Sequence, residues 1–290
     1  MIQIVKSLMA HPLNAGDKMG ALLRFAKWQI NTRLNPYPVV YPFTEHSKLL
    51  MSKGLTGATG NLYSGLHEFY DMGFLLHFLR EKDIFVDIGA NIGSYTILAS
   101  AEINAFSISI EPIPSTFSHL KNNIVVNQIN HLVTPLNIGL GSKIGNLKFT
   151  KSRDTENHIA TQDETDTIDV EVDTLDNIIG EEQPTLLKID VEGFETEVLN
   201  GAEATLNKSS LKAIIIELNG EGNRYGYDEK AIHQKLLGKG FVPHRYNPFD
   251  RSLIEITASK TDNAIYIRDV AFVRNRLTNA RKININHKQI

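Results

Sequence analysis

Ile84-Phe-Val-Asp-Ile-Gly-Ala-Asn-Ile-Gly-Ser-Tyr-Thr96 is a β-branched run that ends in glycine and then opens onto a helix-like stretch. The pattern predicts a buried strand over 84–88, a tight turn, and a helix over 91–101. Gly89 and Gly93 allow the turn to bend sharply and the backbone to approach a ligand closely. Ligands of open α/β sheets lie at the carboxyl ends of the strands. Asp87, Gly89, Asn91, Gly93 and Thr96 are therefore candidate ligand contacts. An acid such as Asp87 suits a bound ammonium and repels a phosphate. A dinucleotide turn would carry three glycines in G-x-G-x-x-G spacing, and Gly89-Ala-Asn-Ile-Gly93 does not. The turn thus points to S-adenosylmethionine, a donor with an ammonium, a sulfonium and no phosphate.

Outward from this turn, strand and helix patterns alternate. Further strands are expected over 105–110, 133–138, 186–191, 213–218 and 264–267. Helices are expected after Pro114, along the stripe Phe194, Val198, Ala202, Leu206, and from an Asp228 cap through Leu236 to a stop at Gly240. This alternation predicts an α/β fold with a mostly parallel, seven-stranded sheet and helices on both faces. Residues 141–182 interrupt it as an insert of strands and a short helix near 174–179, between the third and fourth strands and over the sheet's carboxyl edge. Residues 1–62 read as an N-terminal extension, with a short helix over 18–30, extended chain around Pro36, Pro38 and Pro42, and a glycine-rich loop over 54–65. Ser64 is the expected cap of a helix bearing Phe69, Met72, Leu76 and Leu79. The enzyme domain is expected over 63–275 and a basic C-terminal tail over 276–290, with the locally basic stretch 268–290 helical at its start.

Glu111 ends the second strand, 24 residues after Asp87, where a carboxylate can accept both ribose hydroxyls. Asn137, at the end of the third strand, is a candidate for the adenine pocket, and Glu68 for the donor side. Side chains alternate along a strand, so Lys188, Asp190 and Glu192 project together, and Glu217 and Asn219 end the neighbouring strand in the same phase. Crowded carboxylates raise one another's pKa, and one so tuned can take a proton from a hydroxyl. Competing readings are a Lys188 ion pair, glutamates (Glu192, Glu195) serving the dipole of the following helix, and a divalent ion on Asp190, Glu217 and Asn219. The metal is not the favoured reading. His158, inside the insert, is a candidate base, competing with a surface role. Asn247-Pro-Phe249 reads as a turn.

Four blocks carry a family likeness: V-D-I-G-A-N-I-G-S-Y-T, I-E-P-I-P-S-T-F-S-H-L-K-N-N, L-L-K-I-D-V-E-G-F-E-T-E-V-L-N-G-A and I-I-I-E-L-N. In this order and spacing they resemble the FkbM family of methyltransferases over roughly 65–270. The resemblance implies a class I methyltransferase, Rossmann-like fold, S-adenosylmethionine as donor, and oxygen methylation, mostly of sugar hydroxyls on glycans or natural products. It says nothing of the first 60 or so residues.

Composition sets bounds on these readings. The 290 residues are 42% apolar and 22% charged, with a formal net charge of −3. Such a chain can bury a core and carries no broad field for gathering nucleic acid. It contains no cysteine, which removes thiolate zinc sites and cysteine nucleophiles. No stretch approaches the roughly 18 apolar residues of a membrane span, so the expected location is the cytoplasm and the expected partner a small-molecule or glycan acceptor. Oligomeric state is left open. The rival classes are a nucleotide-dependent oxidoreductase and a non-enzymatic module that binds cofactor.

Overall fold

The computed structural model describes residues 2–152, 156–161, 163–257 and 263–290. Eight strands form its main sheet: β1 (Ile84–Ile88), β2 (Phe106–Ile110), β3 (Val133–Leu136), β4 (Leu186–Ile189), β5 (Ala213–Glu217), β6 (Val242–Asn247), β7 (Ser252–Glu255) and β8 (Asn263–Ile267). They lie in the order β7-β6-β8-β5-β4-β1-β2-β3. From β3 to β5 all neighbours are parallel, and β8 runs antiparallel to both β5 and β6. The expected parallel α/β sheet is present with one strand more than the seven expected. Asn247 ends β6, a turn follows at Pro248, and the chain returns as β7, a hairpin edge too short to stand out in the sequence.

Helices cover both faces because the strands bury both. Phe85 packs into one cluster with Leu75, Phe78 and Tyr95, whereas Val86, Ile88, Leu187 and Ile216 face a second with Val198 and Leu236. The segment 1–62 adds Leu8, Leu13, Trp28, Phe43 and Leu49 to the first cluster. The insert forms the antiparallel pair Gly145–Thr150 and Thr167–Asp173, then a helix, Leu175–Ile179, capped by the Thr174 hydroxyl. Among the described residues no helix is long and apolar enough to cross a membrane.

Four local expectations are corrected. Residues 54–65 are not a loop: Thr56–Ser64 is a helix with Ala58, Asn61, Leu62 and Tyr63 buried. Tertiary burial of one face there outweighs the poor helix propensity of Gly57 and Gly60. Ser64 accordingly closes this helix, and the next, Phe69–Phe78, begins after Glu68. The helix after the β1 turn is α-helical only over Ser94–Ile97 and widens into a π-turn over Leu98–Glu102. The stripe from Phe194 to Leu206 is split at Gly201 into Glu195–Asn200 and Glu203–Asn207.

Candidate active site

A cleft of about 470 Å³ opens at the carboxyl ends of β1, β2 and β4, a size suited to a small-molecule cofactor. Gly89, Asn91, Tyr95, Glu111, Lys188, Asp190 and Glu192 line it, with Glu68 across the mouth. The helix Thr56–Ser64 contributes Thr56 and Gly57 to one wall, and the insert contributes Phe149, Asn157 and Ile159 to another.

Glu111 is the best-fixed acid in the cleft. Its Oε2 accepts from the Asn91 N–H at 2.9 Å and its Oε1 from the Ile113 N–H at 2.9 Å. Each oxygen keeps a lone pair for another donor. Burial pushes its pKa up to about 7 against these two bonds, and Asp87 and Asp190 push the same way. Asn91 itself takes a left-handed φ of 50°, a conformation asparagine tolerates better than most residues.

Asp87, Thr96, Gly93 and Asn137 do not line the cleft. Asp87 lies one layer below it. Its Oδ2 accepts from both the N–H (3.0 Å) and the hydroxyl (2.6 Å) of Thr96, which in turn lies 2.7 Å from the Ser109 hydroxyl. Parallel register sets Asp87 directly beside Lys188. Burial raises the Asp87 pKa, opposed first by that ammonium. Asp87 thus has one oxygen fixed in the floor below the cleft, while its other, Oδ1, is buried with no hydrogen-bond partner among the described residues. Asn137 donates to the carbonyls of Glu111 (2.8 Å) and Pro112 (2.9 Å), pinning the loop after β2. Gly93 turns the chain against Leu120.

The acceptor-side acids do converge. Lys188 Nζ is 2.7 Å from Asp190 Oδ2 and sits over the Tyr95 ring at 4.9 Å. Burial opposes the Lys188 ammonium, but Asp190, Glu68 and Asp87 outweigh it and hold its pKa above the ordinary range. Burial also raises Asp190, yet Lys188 and a hydrogen bond from Glu217 bring its pKa below normal. Glu217 is pushed up to about 10, by burial first and then by Asp190, and Glu192 up to about 9 by burial, Asp190 and Glu221. The Lys188 ammonium thus favours the ionised form of Asp190, whereas burial and the Asp190 charge favour the protonated forms of Glu217 and Glu192.

Asp190, Glu192 and Glu217 each offer one oxygen, all within 4.8 Å of one another. Asn219, at the end of the neighbouring strand, is exposed and accepts from the Glu221 N–H at 3.0 Å. Three carboxyl oxygens suit a hard divalent ion only after two protons leave. Glu195 serves the loop, as the capping alternative expected, its Oε1 accepting from the N–H groups of Val191 and Gly193, both at 3.2 Å. His158 is corrected as a base. Its Nδ1 is 2.8 Å from the Glu156 carbonyl and its Nε2 3.1 Å from Glu164, so both nitrogens are spent within the insert, and it lines neither this cleft nor its neighbour. Thr155, three residues before it in the chain, is outside the described residues. Tyr95 escapes a reading of the sequence although it lies within the decisive motif: no pattern signals that a helical tyrosine there will turn under a lysine.

The raised acids set a pH dependence of stability. Glu217 and Glu192 hold protons in the fold up to about pH 10 and 9, whereas the unfolded chain releases them near the ordinary 4.5. Between these limits the folded chain binds more protons, so stability falls as pH rises. Glu217→Gln should flatten the decline and raise the thermal midpoint at pH 8, each 1 kcal/mol recovered being worth roughly 2–4 °C. Melting curves from pH 5 to 9 with an unchanged slope in the variant would contradict the assignment.

Residues 87–243 match the methyltransferase FkbM domain family. Over 168 residues the chain is 32% identical to the hexuronic acid methyltransferase AglP of Haloferax volcanii, covering 57% of this chain and 65% of that one. Over 149 residues it is 30% identical to Methyltransferase 1 of Beauveria bassiana, covering 42% and 59%. The chain thus spans under two-thirds of the length of either relative. Among solved structures, a precorrin-6y C5,15-methyltransferase of Geobacter metallireducens aligns with a TM-score of 0.42 at 14% identity, covering 76% of this chain and 93% of that one.

Proposed function

The chain belongs to the FkbM methyltransferase family, and from that premise we propose that it moves a methyl group from S-adenosylmethionine to a hydroxyl oxygen of a sugar. The observation that carries the donor assignment is Glu111, whose two oxygens are fixed by backbone N–H groups at the rim of the cleft and remain able to accept from a ribose diol. Asn91 and Gly89 flank it, and Glu68 and Asp190 give the cleft a negative lining that favours an ammonium and a sulfonium. Asp190 is the proposed proton acceptor. As the acceptor oxygen bonds to the methyl carbon and the carbon–sulfur bond breaks, the hydroxyl proton passes to its carboxylate. Lys188 keeps that carboxylate ionised beforehand, and Glu217 hydrogen-bonds to it. A sugar acceptor is consistent with the hexuronic acid named for AglP.

Calorimetry with S-adenosylmethionine and S-adenosylhomocysteine tests the donor. Glu111→Ala should weaken binding by about 1–3 kcal/mol, the usual worth of a hydrogen bond to a charged group, or roughly five- to 150-fold. Unchanged affinity would remove the ribose role. Transfer of labelled methyl to a glycan as an alkali-stable ether supports a hydroxyl acceptor, whereas an alkali-labile ester would show a carboxylate acceptor instead.

A further inference from the structure

A second cavity, of about 670 Å³, lies beside the donor cleft. His67 and Glu68 line both, so the width of one chain segment separates them. Its other walls come from Glu217 at the end of β5, His244 on β6, Ser252 on β7, Asn263 on β8, and the turn at His11 and Pro12. The insert contributes nothing to it among the described residues.

We propose that this second cavity, and not the insert, receives the acceptor, as a hydroxylated sugar ring. The inference rests on the donor reading of the first cleft. Asp190 lines the first cavity and Glu217 the second, and the two carboxyls face each other across the shared wall. A hydroxyl entering from the Glu217 side meets the same carboxyl pair that the sulfonium methyl meets from the Asp190 side.

The lining also matches a sugar. His244 is only 2% exposed, and its Nδ1 lies 2.8 Å from the Val242 carbonyl. A carbonyl only accepts, so Nδ1 carries the proton and Nε2 is left as a lone-pair acceptor. Nε2 has no partner among the described residues. Asn263 donates to Glu68 Oε1 at 2.8 Å, and its carbonyl oxygen has no hydrogen-bond partner among the described residues. Phe69 and the half-exposed Tyr70 supply aromatic surface for the apolar face of a ring. Acceptors for hydroxyls set beside aromatic rings are the chemistry a pyranose requires.

The test uses the absence of native cysteine. Ser252→Cys carries a unique thiol on the wall of the second cavity, and a bulky maleimide there should fill it. Protein saturated with S-adenosylhomocysteine is titrated with methyl β-D-glucuronide and methyl β-D-glucoside, read by saturation-transfer NMR. Saturable binding of either glycoside is expected in the unmodified protein, with loss on Ser252 labelling while S-adenosylhomocysteine affinity stays normal. The same label at Glu171→Cys, exposed on the insert's strand, should leave both intact. His244→Ala should weaken the glycoside about tenfold, the usual worth of one hydrogen bond. Glycoside binding that survives Ser252 labelling, or is abolished by Glu171 labelling, overturns the proposal. So does the absence of binding by either glycoside to protein that binds S-adenosylhomocysteine. Failure of S-adenosylhomocysteine to bind the unmodified protein would instead strike the donor reading.

Discussion

Gly89→Ala should lose about 2–5 kcal/mol of stability. Gly89 sits at φ 75°, and an added Cβ would stand 1.7 Å from the Asp190 carbonyl oxygen. Left-handed backbone costs a non-glycine residue about 1–2 kcal/mol, and forced overpacking costs about 1–3 kcal/mol more. The obstacle is backbone, so no side-chain rotation relieves it. The N–H of that same peptide, on Val191, is bonded to Glu195 Oε1 at 3.2 Å, which holds the clashing peptide in place. Moving it also shifts the carboxylate next to Lys188, so donor binding and turnover should fall with stability. Gly145→Ala is the control, since a Cβ there meets nothing within 4 Å, and its effect should stay within about 0.5 kcal/mol. Urea melts of the two variants decide it: equal stability would mean that Gly89 is required for ligand approach alone.

That glycine illustrates what is legible in the sequence. Its necessity can be read from Gly89-Ala-Asn-Ile-Gly93, but the reason cannot, because the crowding atom comes from residue 190, about a hundred positions away. The parallel core follows from β-branched runs alternating with helical stripes, since those periods depend only on local burial. Glu111 is also legible, because a carboxylate ending the second strand lies at the sheet edge by geometry alone. The surroundings of Asp87 are not: Thr96 holds one of its oxygens and Lys188 balances its charge, and such pairing depends on inter-strand register. The helix at 56–64 looks like a loop because glycine content is local, whereas the burial that orders the segment is tertiary. His158 likewise looks free in sequence, and its two partners fix it within the insert. The second cavity is invisible, as His11, His67, His244 and Asn263 share no motif and meet only through folding.

Asp190→Asn should lower turnover by about a hundred- to ten-thousandfold, the usual cost of losing a general base, while S-adenosylmethionine affinity changes far less. Among Asp190, Glu192 and Glu217, Asp190 is the carboxyl whose ionised form is favoured. Glu217→Gln is a milder change on this account. A glutamine amide donates to Asp190 much as the protonated acid does, so turnover should fall by less than about tenfold, near the worth of one neutral hydrogen bond. Breaking a buried ion pair is itself destabilising, and Lys188 is 4% exposed, so Asp190→Asn needs a check that it folds. Lys188→Met in the same chain removes the ammonium that Asp190 paired and should not restore rate. Melting curves, donor calorimetry and single-turnover methyl transfer on each variant separate the roles. Loss of rate with intact folding and donor binding supports the proton acceptor. Recovery of rate in the double variant would make the pair structural, and a larger rate loss in Glu217→Gln than in Asp190→Asn would move the proton transfer to Glu217.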